Sequence, residues 1–227
     1  MRAARAGGLA VALVLAAALA AVAVAATPPK TTKGTTYASQ SGGYALTVPA
    51  TWKLIPRTVP QIKSAIAALK KQKKSKAEAT ALAGTLQSII DSPAGVNGLK
   101  AYVIQAFAWP TDPNTPILTE ASLGIVKTSR AYTKKDLPAI GAEYANSISA
   151  NKGSKVLVPK IVTLPAGPAE FIEATVPAGT GLQNGIELYL IPHGKRLYEL
   201  SFQVDGTLLA QATLFTSIAQ KFKFLTK

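Results

Sequence analysis

Four glutamates and one histidine are the side chains of this chain best suited to acid, base or nucleophilic chemistry. Glu170, Glu173, Glu187 and Glu199 fall in segments that read as strands, and two carboxyl groups at suitable separation are what glycosidic-bond hydrolysis requires. His193, the single histidine, lies in "PHGK", where the flanking Pro and Gly predict an exposed hairpin tip. A serine nucleophile needs a base beside it, and a zinc site needs several His or Cys ligands. The chain has no Cys and no second His, so thiolate chemistry and a His/Cys metal site are excluded. No G-x-x-x-x-G-K-[ST] or G-x-G-x-x-G phosphate loop and no D-x-[DN]-x-[DN]-G calcium loop occurs. The glutamates carry what catalytic chemistry remains, and the residue inventory points to binding rather than catalysis.

The strands around these glutamates set their expected placement. Ile186, Leu188 and Leu190 alternate along "GIELYLIP", and Tyr198, Leu200, Phe202 and Val204 along "KRLYELSFQV". Opposed residues of an antiparallel pair share a face. If each strand has one apolar face, Leu190 opposes Tyr198 and Leu188 opposes Leu200. The polar face then pairs Tyr189 with Glu199 and Glu187 with Ser201. That register predicts a polar groove lined by Glu187, Tyr189, Glu199 and Ser201, and a three- or five-residue hairpin loop with Gly194 in a left-handed conformation.

A second candidate is the lysine run of "ALKKQKKSKAEA": Lys70, Lys71, Lys73, Lys74 and Lys76. Apolar residues recur at helical spacing before it (Ile62, Ile66, Leu69) and after it (Leu82, Leu86, Ile89). This predicts a helical hairpin with the lysines at its solvated tip. Lys70 and Lys71 complement the end of the first helix dipole. The run has no aromatic residue or arginine interleaved, so it offers no base-stacking platform. It is read as a solvated corner or a loose anion-contact patch, not a specific nucleic-acid site.

The remaining segments complete the scaffold. "YALTV" and "WKLI" read as strands split by Pro49-Ala50; "GLKAYVIQAFAW" and "ASLGIVKTS" are two more. Leu137, Ile140, Tyr144 and Ile148 mark a third helix with Asp136 as its N-cap. "SKVLVP", "KIVTLP" and "AEFIEATV" are short strands, and Leu208 to Phe222 trace a closing helix. Short turns between strands and grouped helices imply an α+β fold with a twisted antiparallel sheet covered by helices.

The ends of the chain speak to location. Residues 1–26 place Arg2 and Arg5 before an uncharged run from Gly7 to Ala26 that ends in small residues, the order of a secretory signal peptide. The alternative is retention as an anchor. Removing residues 1–26 leaves 201 residues at a formal charge of +12. That length supports one core without disulfides. The charge favours anionic neighbours such as envelope polymers. Residues 27–43 are rich in Thr, Ser, Gly, Pro and Lys and are read as a flexible tether, leaving 44–227 as a single domain.

Both ends of that domain resemble the PsbP-like family, including its exported bacterial relatives of the DcrB and LpqN kind. "YALTVPATWK" carries the resemblance at the front. At the back it rests on "RLYELSFQVDG" followed by "LFTSIAQKFKF". These pieces cover about 30 residues and record packing rather than active-site chemistry. The resemblance implies an α/β/α sandwich, here with a helical-hairpin elaboration, and an accessory or binding role. The leading expectation is an exported, monomeric, non-enzymatic domain of a bacterial cell envelope that binds an envelope protein or a small ligand and uses no cofactor. The alternatives are an envelope glycan hydrolase using sheet glutamates, or a basic surface protein held by anionic polymers.

Overall fold

The structure is a computed structural model of the 227-residue chain. It describes residues 34–56, 58–71, 76–91, 102–111, 119–177, 183–206 and 211–226. The lysines Lys73 and Lys74, the signal-like segment 1–26 and the first part of the proposed tether lie outside these residues. Among the described residues, no helix is long and apolar enough to cross a membrane.

The chain folds as α+β around two antiparallel sheets. The elements in order are β1 (Thr35–Ser39), β2 (Tyr44–Val48), β3 (Trp52–Pro56), α1 (Val59–Lys70), α2 (Lys76–Asp91), β4 (Tyr102–Pro110), β5 (Glu120–Lys127), α3 (Leu137–Ser149), β6 (Lys155–Val156), β7 (Lys160–Leu164), β8 (Gly167–Pro177), β9 (Gln183–His193), β10 (Arg196–Asp205), α4 (Ala212–Ala219) and β11 (Lys223–Phe224). The large sheet runs β3-β4-β5-β10-β9-β8-β6, with β7 also on β8. The small sheet is β1-β2-β11.

Both faces of the large sheet pack against other elements. On one face, β2, α4 and the segment after α4 bring Tyr44, Leu46, Val48, Phe215, Ile218 and Phe222 onto Leu123, Tyr189, Tyr198, Leu200 and Phe202. Fully burying side chains of this size stabilises by about 1.5–3 kcal/mol each. The hydroxyl of Tyr198 donates to the Gly42 carbonyl at 2.6 Å, fixing the small sheet to the large one. On the other face lie α1, α2 and α3. The expected sandwich is present, with the outer layer on the α4 face shared between a helix and a second sheet.

Three expectations change. Thr35–Ser39, read as tether, is a strand paired with β2. Its backbone finds a ladder, and Tyr37 meets Tyr44 edge-on at 6.1 Å between ring centroids. Asp136 stands at the N-cap position of α3 but makes no side-chain capping bond there. Its carboxylate accepts from the backbone N–H and hydroxyl of Thr133 and pairs with Arg130, closing the preceding 3-10 turn.

The third change is the register of the last hairpin. His193 pairs with Arg196, and the ladder continues as Glu199↔Leu190, Leu200↔Tyr189, Ser201↔Leu188 and Phe202↔Glu187. The loop has two residues, Gly194 and Lys195, with Gly194 at φ +58°, the positive φ that a tight hairpin turn requires at its first central position. The expected register assumed one apolar face per strand. Gly185 to Ile191 are all buried, on both faces, so mixing polar and apolar residues across the ladder exposes neither.

Candidate functional site

Among the described residues, the apolar cover of the three-helix face has a gap. At one side, Ile62, Ile66 and Leu69 of α1 and Leu82, Leu86 and Ile89 of α2 pack on Ile55, Phe107 and Trp109 of β3 and β4. At the other side, Ile140, Tyr144 and Ile148 of α3 pack on Ile172, Ala174, Ile186, Leu188 and Leu190 of β8 and β9. Between these two clusters run β5 and β10.

The register identifies what floors the gap. One row across the sheet reads Ile55, Phe107, Ser122, Ser201, Leu188, Ile172. It is apolar at both ends, with two directly opposed serines in the middle. The next row pairs Glu120 with Gln203, and the row on the other side pairs Gly124 with Glu199. Ser122, Ser201, Glu120 and Gln203 are half-buried. Glu199 is buried and accepts a hydrogen bond from the Tyr144 hydroxyl of α3 at 3.1 Å. Gly124 leaves no side chain opposite it. Burial pushes the Glu120 carboxyl up to about 7, since removing a carboxylate from water disfavours its charged form.

Glu199 and Ser201, expected in a polar groove, are therefore together on this strip. Glu187 and Tyr189 are on the opposite face, because the ladder is displaced by one residue from the expected register and a one-residue slip changes which residues share a face. There Glu187 is 2% exposed. It accepts from the Tyr189 hydroxyl at 3.3 Å, which also lies 3.4 Å from Thr216 Oγ1 of α4. Burial pushes its carboxyl up to about 7. Tyr189 opposes this shift, the nearby Glu173 adds to it and Lys160 opposes it.

A further carboxyl lies beneath α3. Glu170 opposes Leu190, which opposes Glu199, so two glutamates flank one leucine on a single face. Glu170 is buried, and its Oε2 has no hydrogen-bond partner. Burial raises its pKa. A Cβ built on Gly141 of α3 would stand 2.6 Å from Glu170 Cγ, so the glycine lets the helix approach. These two carboxyl groups are under a helix rather than open to substrate.

Of the lysine run, Lys70 ends α1, Lys71 caps it and Lys76 opens α2, and all three are exposed. His193 is exposed at its hairpin tip and stacks on Phe224 at 3.9 Å between centroids. Among the described residues, no group of three His, Cys, Asp or Glu side chains could hold a metal ion. Sequence reasoning missed Glu120 and Ser122. Their strand was identified, but only the observed pairing of β5 with β10 brings them beside Ser201.

No family model matches the chain, and no curated protein matches it. Several solved structures are similar to it, among them the following two. A crystal structure from Bacteroides thetaiotaomicron is 8% identical with a TM-score of 0.46, over 86% of this chain and 50% of that one. The present chain thus spans about half of that protein's length. The solution structure of cyanobacterial PsbP (CyanoP) from Synechocystis sp. PCC 6803 is 11% identical with a TM-score of 0.48, over 92% of this chain and 98% of that one.

Proposed function

We propose that this chain is an exported accessory domain that binds a small polar ligand on the β5-β10 strip and catalyses no reaction of its own. The observation that carries this reading is the strip itself. It is a half-buried line of hydroxyl, amide and carboxyl groups set between two apolar helical covers. Binding sites combine apolar walls with a few placed polar groups. The opposed serines both donate and accept, the Gln203 amide does the same, and the carboxyl group of Glu120 accepts, while Glu199 closes the row beneath α3. That set suits a ligand rich in hydroxyl or amine donors, such as a glycan fragment, a polyol or a polyamine. Export is supported by the charge order of residues 1–26, and the accessory role by the PsbP-like pattern at both ends of the domain. No observation favours the DcrB or LpqN branch over others.

Titration calorimetry against envelope oligosaccharides, polyols and polyamines tests the reading. It expects saturable, stoichiometric binding to at least one class without turnover. Absence of binding across the panel, or conversion of the bound compound to product, counts against it.

A further inference from the structure

We propose that the edge of the large sheet at Leu157–Pro159 is a membrane-contacting tip that seats apolar side chains in an anionic lipid surface. Strands β6 and β7 are one edge strand interrupted. Lys155 pairs with Thr175 and Val156 with Ala174, whereas Lys160 pairs with Phe171 and Leu164 with Gly167. The register shifts by one, so Leu157, Val158 and Pro159 stand against only Ile172 and Glu173. This is a β-bulge, an extra residue thrown outward. The Leu157 N–H donates to the Glu173 carbonyl at 2.9 Å, so the bulge is anchored to β8.

What the bulge presents is apolar. Val158 is 88% exposed, Leu157 59% and Ile161 39%, three of the four exposed large hydrophobic side chains among the described residues. Lys152, Lys155 and Lys160 flank them along the chain, all exposed. Lys160 leans over Phe171 with its Nζ 5.1 Å from the ring centroid. No acidic residue occurs from Lys152 to Leu164; the half-buried Glu173 of β8 stands opposite the bulge, on the face it shares with Glu187.

The features around the tip select among occupants. A bulge, a proline and lysines are devices that block strand addition at a sheet edge, so a partner strand is disfavoured. A second copy would bring another +14 chain and the same lysines against these. An anionic lipid surface takes both features at once: lysine heads meet headgroups while apolar side chains enter the acyl boundary.

The chain has no Cys, so Val158→Cys can be labelled at one position with an environment-sensitive fluorophore. Ser64→Cys, on the exposed side of α1, is the control. Full-length protein is mixed with vesicles of phosphatidylglycerol and phosphatidylcholine, and with phosphatidylcholine alone. The expected result is a several-fold, blue-shifted rise at position 158 with the anionic vesicles only. It is weakened by salt and by Leu157→Ser with Ile161→Ser, and position 64 shows little change. An unchanged signal at 158 overturns the proposal. So does an equal rise at both positions, which would report binding through the uncharged segment Gly7–Ala26. A rise that grows with protein concentration without vesicles overturns it in favour of a second copy.

Discussion

Glu187 and Glu199 stand on opposite faces of the large sheet: Glu187 opposes Phe202 on the α4 face, while Glu199 opposes Leu190 on the α3 face. Two carboxyl groups separated by a sheet cannot flank one scissile bond, which joint acid and base attack requires. Purified protein is expected to turn over no envelope glycan, and Glu187→Gln with Glu199→Gln to change nothing measurable in that assay. Turnover by the parent that disappears in a folded double variant would contradict this.

Burial of Glu187 sets a pH dependence of stability. Its carboxyl titrates at about 7 in the folded protein against 4.5 for an ordinary glutamate. Between these values the native state holds a proton that the unfolded state has released. Stability therefore falls as pH rises through that window. Glu120, shifted to the same value, contributes a second fall. Glu187→Gln should flatten the decline without abolishing it, by on the order of 1–3 kcal/mol between pH 4.5 and 8. Urea unfolding at the two pH values measures this, and identical slopes for parent and variant would count against it.

Gly141 is expected to tolerate no side chain. Alanine would gain helix propensity, about 1 kcal/mol, but its Cβ would press on Glu170 Cγ at 2.6 Å. Glu170 is itself buried between helix and sheet. Overpacking of this kind costs about 1–3 kcal/mol, so Gly141→Ala should lower the melting temperature, and Gly141→Leu should lower it further. A rise in both variants would show that α3 can lift from the sheet freely.

Changing Lys70, Lys71, Lys73 and Lys74 to Gln should leave the fold and its melting temperature intact. Polyanion binding by the parent should be weak and steeply salt-dependent, as counterion release demands. Tight binding that survives high salt and is lost in the variant would assign a built anion site to this corner.

Elements with strong local pattern were legible in the sequence. The α1-α2 hairpin followed from an apolar stripe that stops at Leu69 and restarts toward Leu82, and α3 from Leu137, Ile140, Tyr144 and Ile148. All of these residues are buried. The antiparallel order of β9 and β10 was equally readable. Their register was not, because alternation fixes a register only when one face meets water. Tyr189 and Leu190 are both buried on opposite sides of one strand, so the pattern held no preference. The strip was half legible for the same reason. Ser201 and Glu199 could be placed beside each other on β10, but Ser122 joins them through a pairing with Ser201, 79 residues away in sequence. No local signal marks that contact. Strand β1 was missed because its composition resembles a linker and its order comes from β2.

The opposed serines Ser122 and Ser201 are the centre of the account, and mapping a bound ligand onto them tests it most directly. Backbone amide shifts should be followed by NMR while a glycan fragment, polyol or polyamine is titrated. The account predicts that the largest shifts fall within residues 120–124 and 199–203. It also predicts their loss in a folded Ser122→Leu, Ser201→Leu variant, whose added side chains would close the gap between the helical covers. Shifts centred on the α4 face, or shifts on the strip that persist unchanged in that variant, would contradict it.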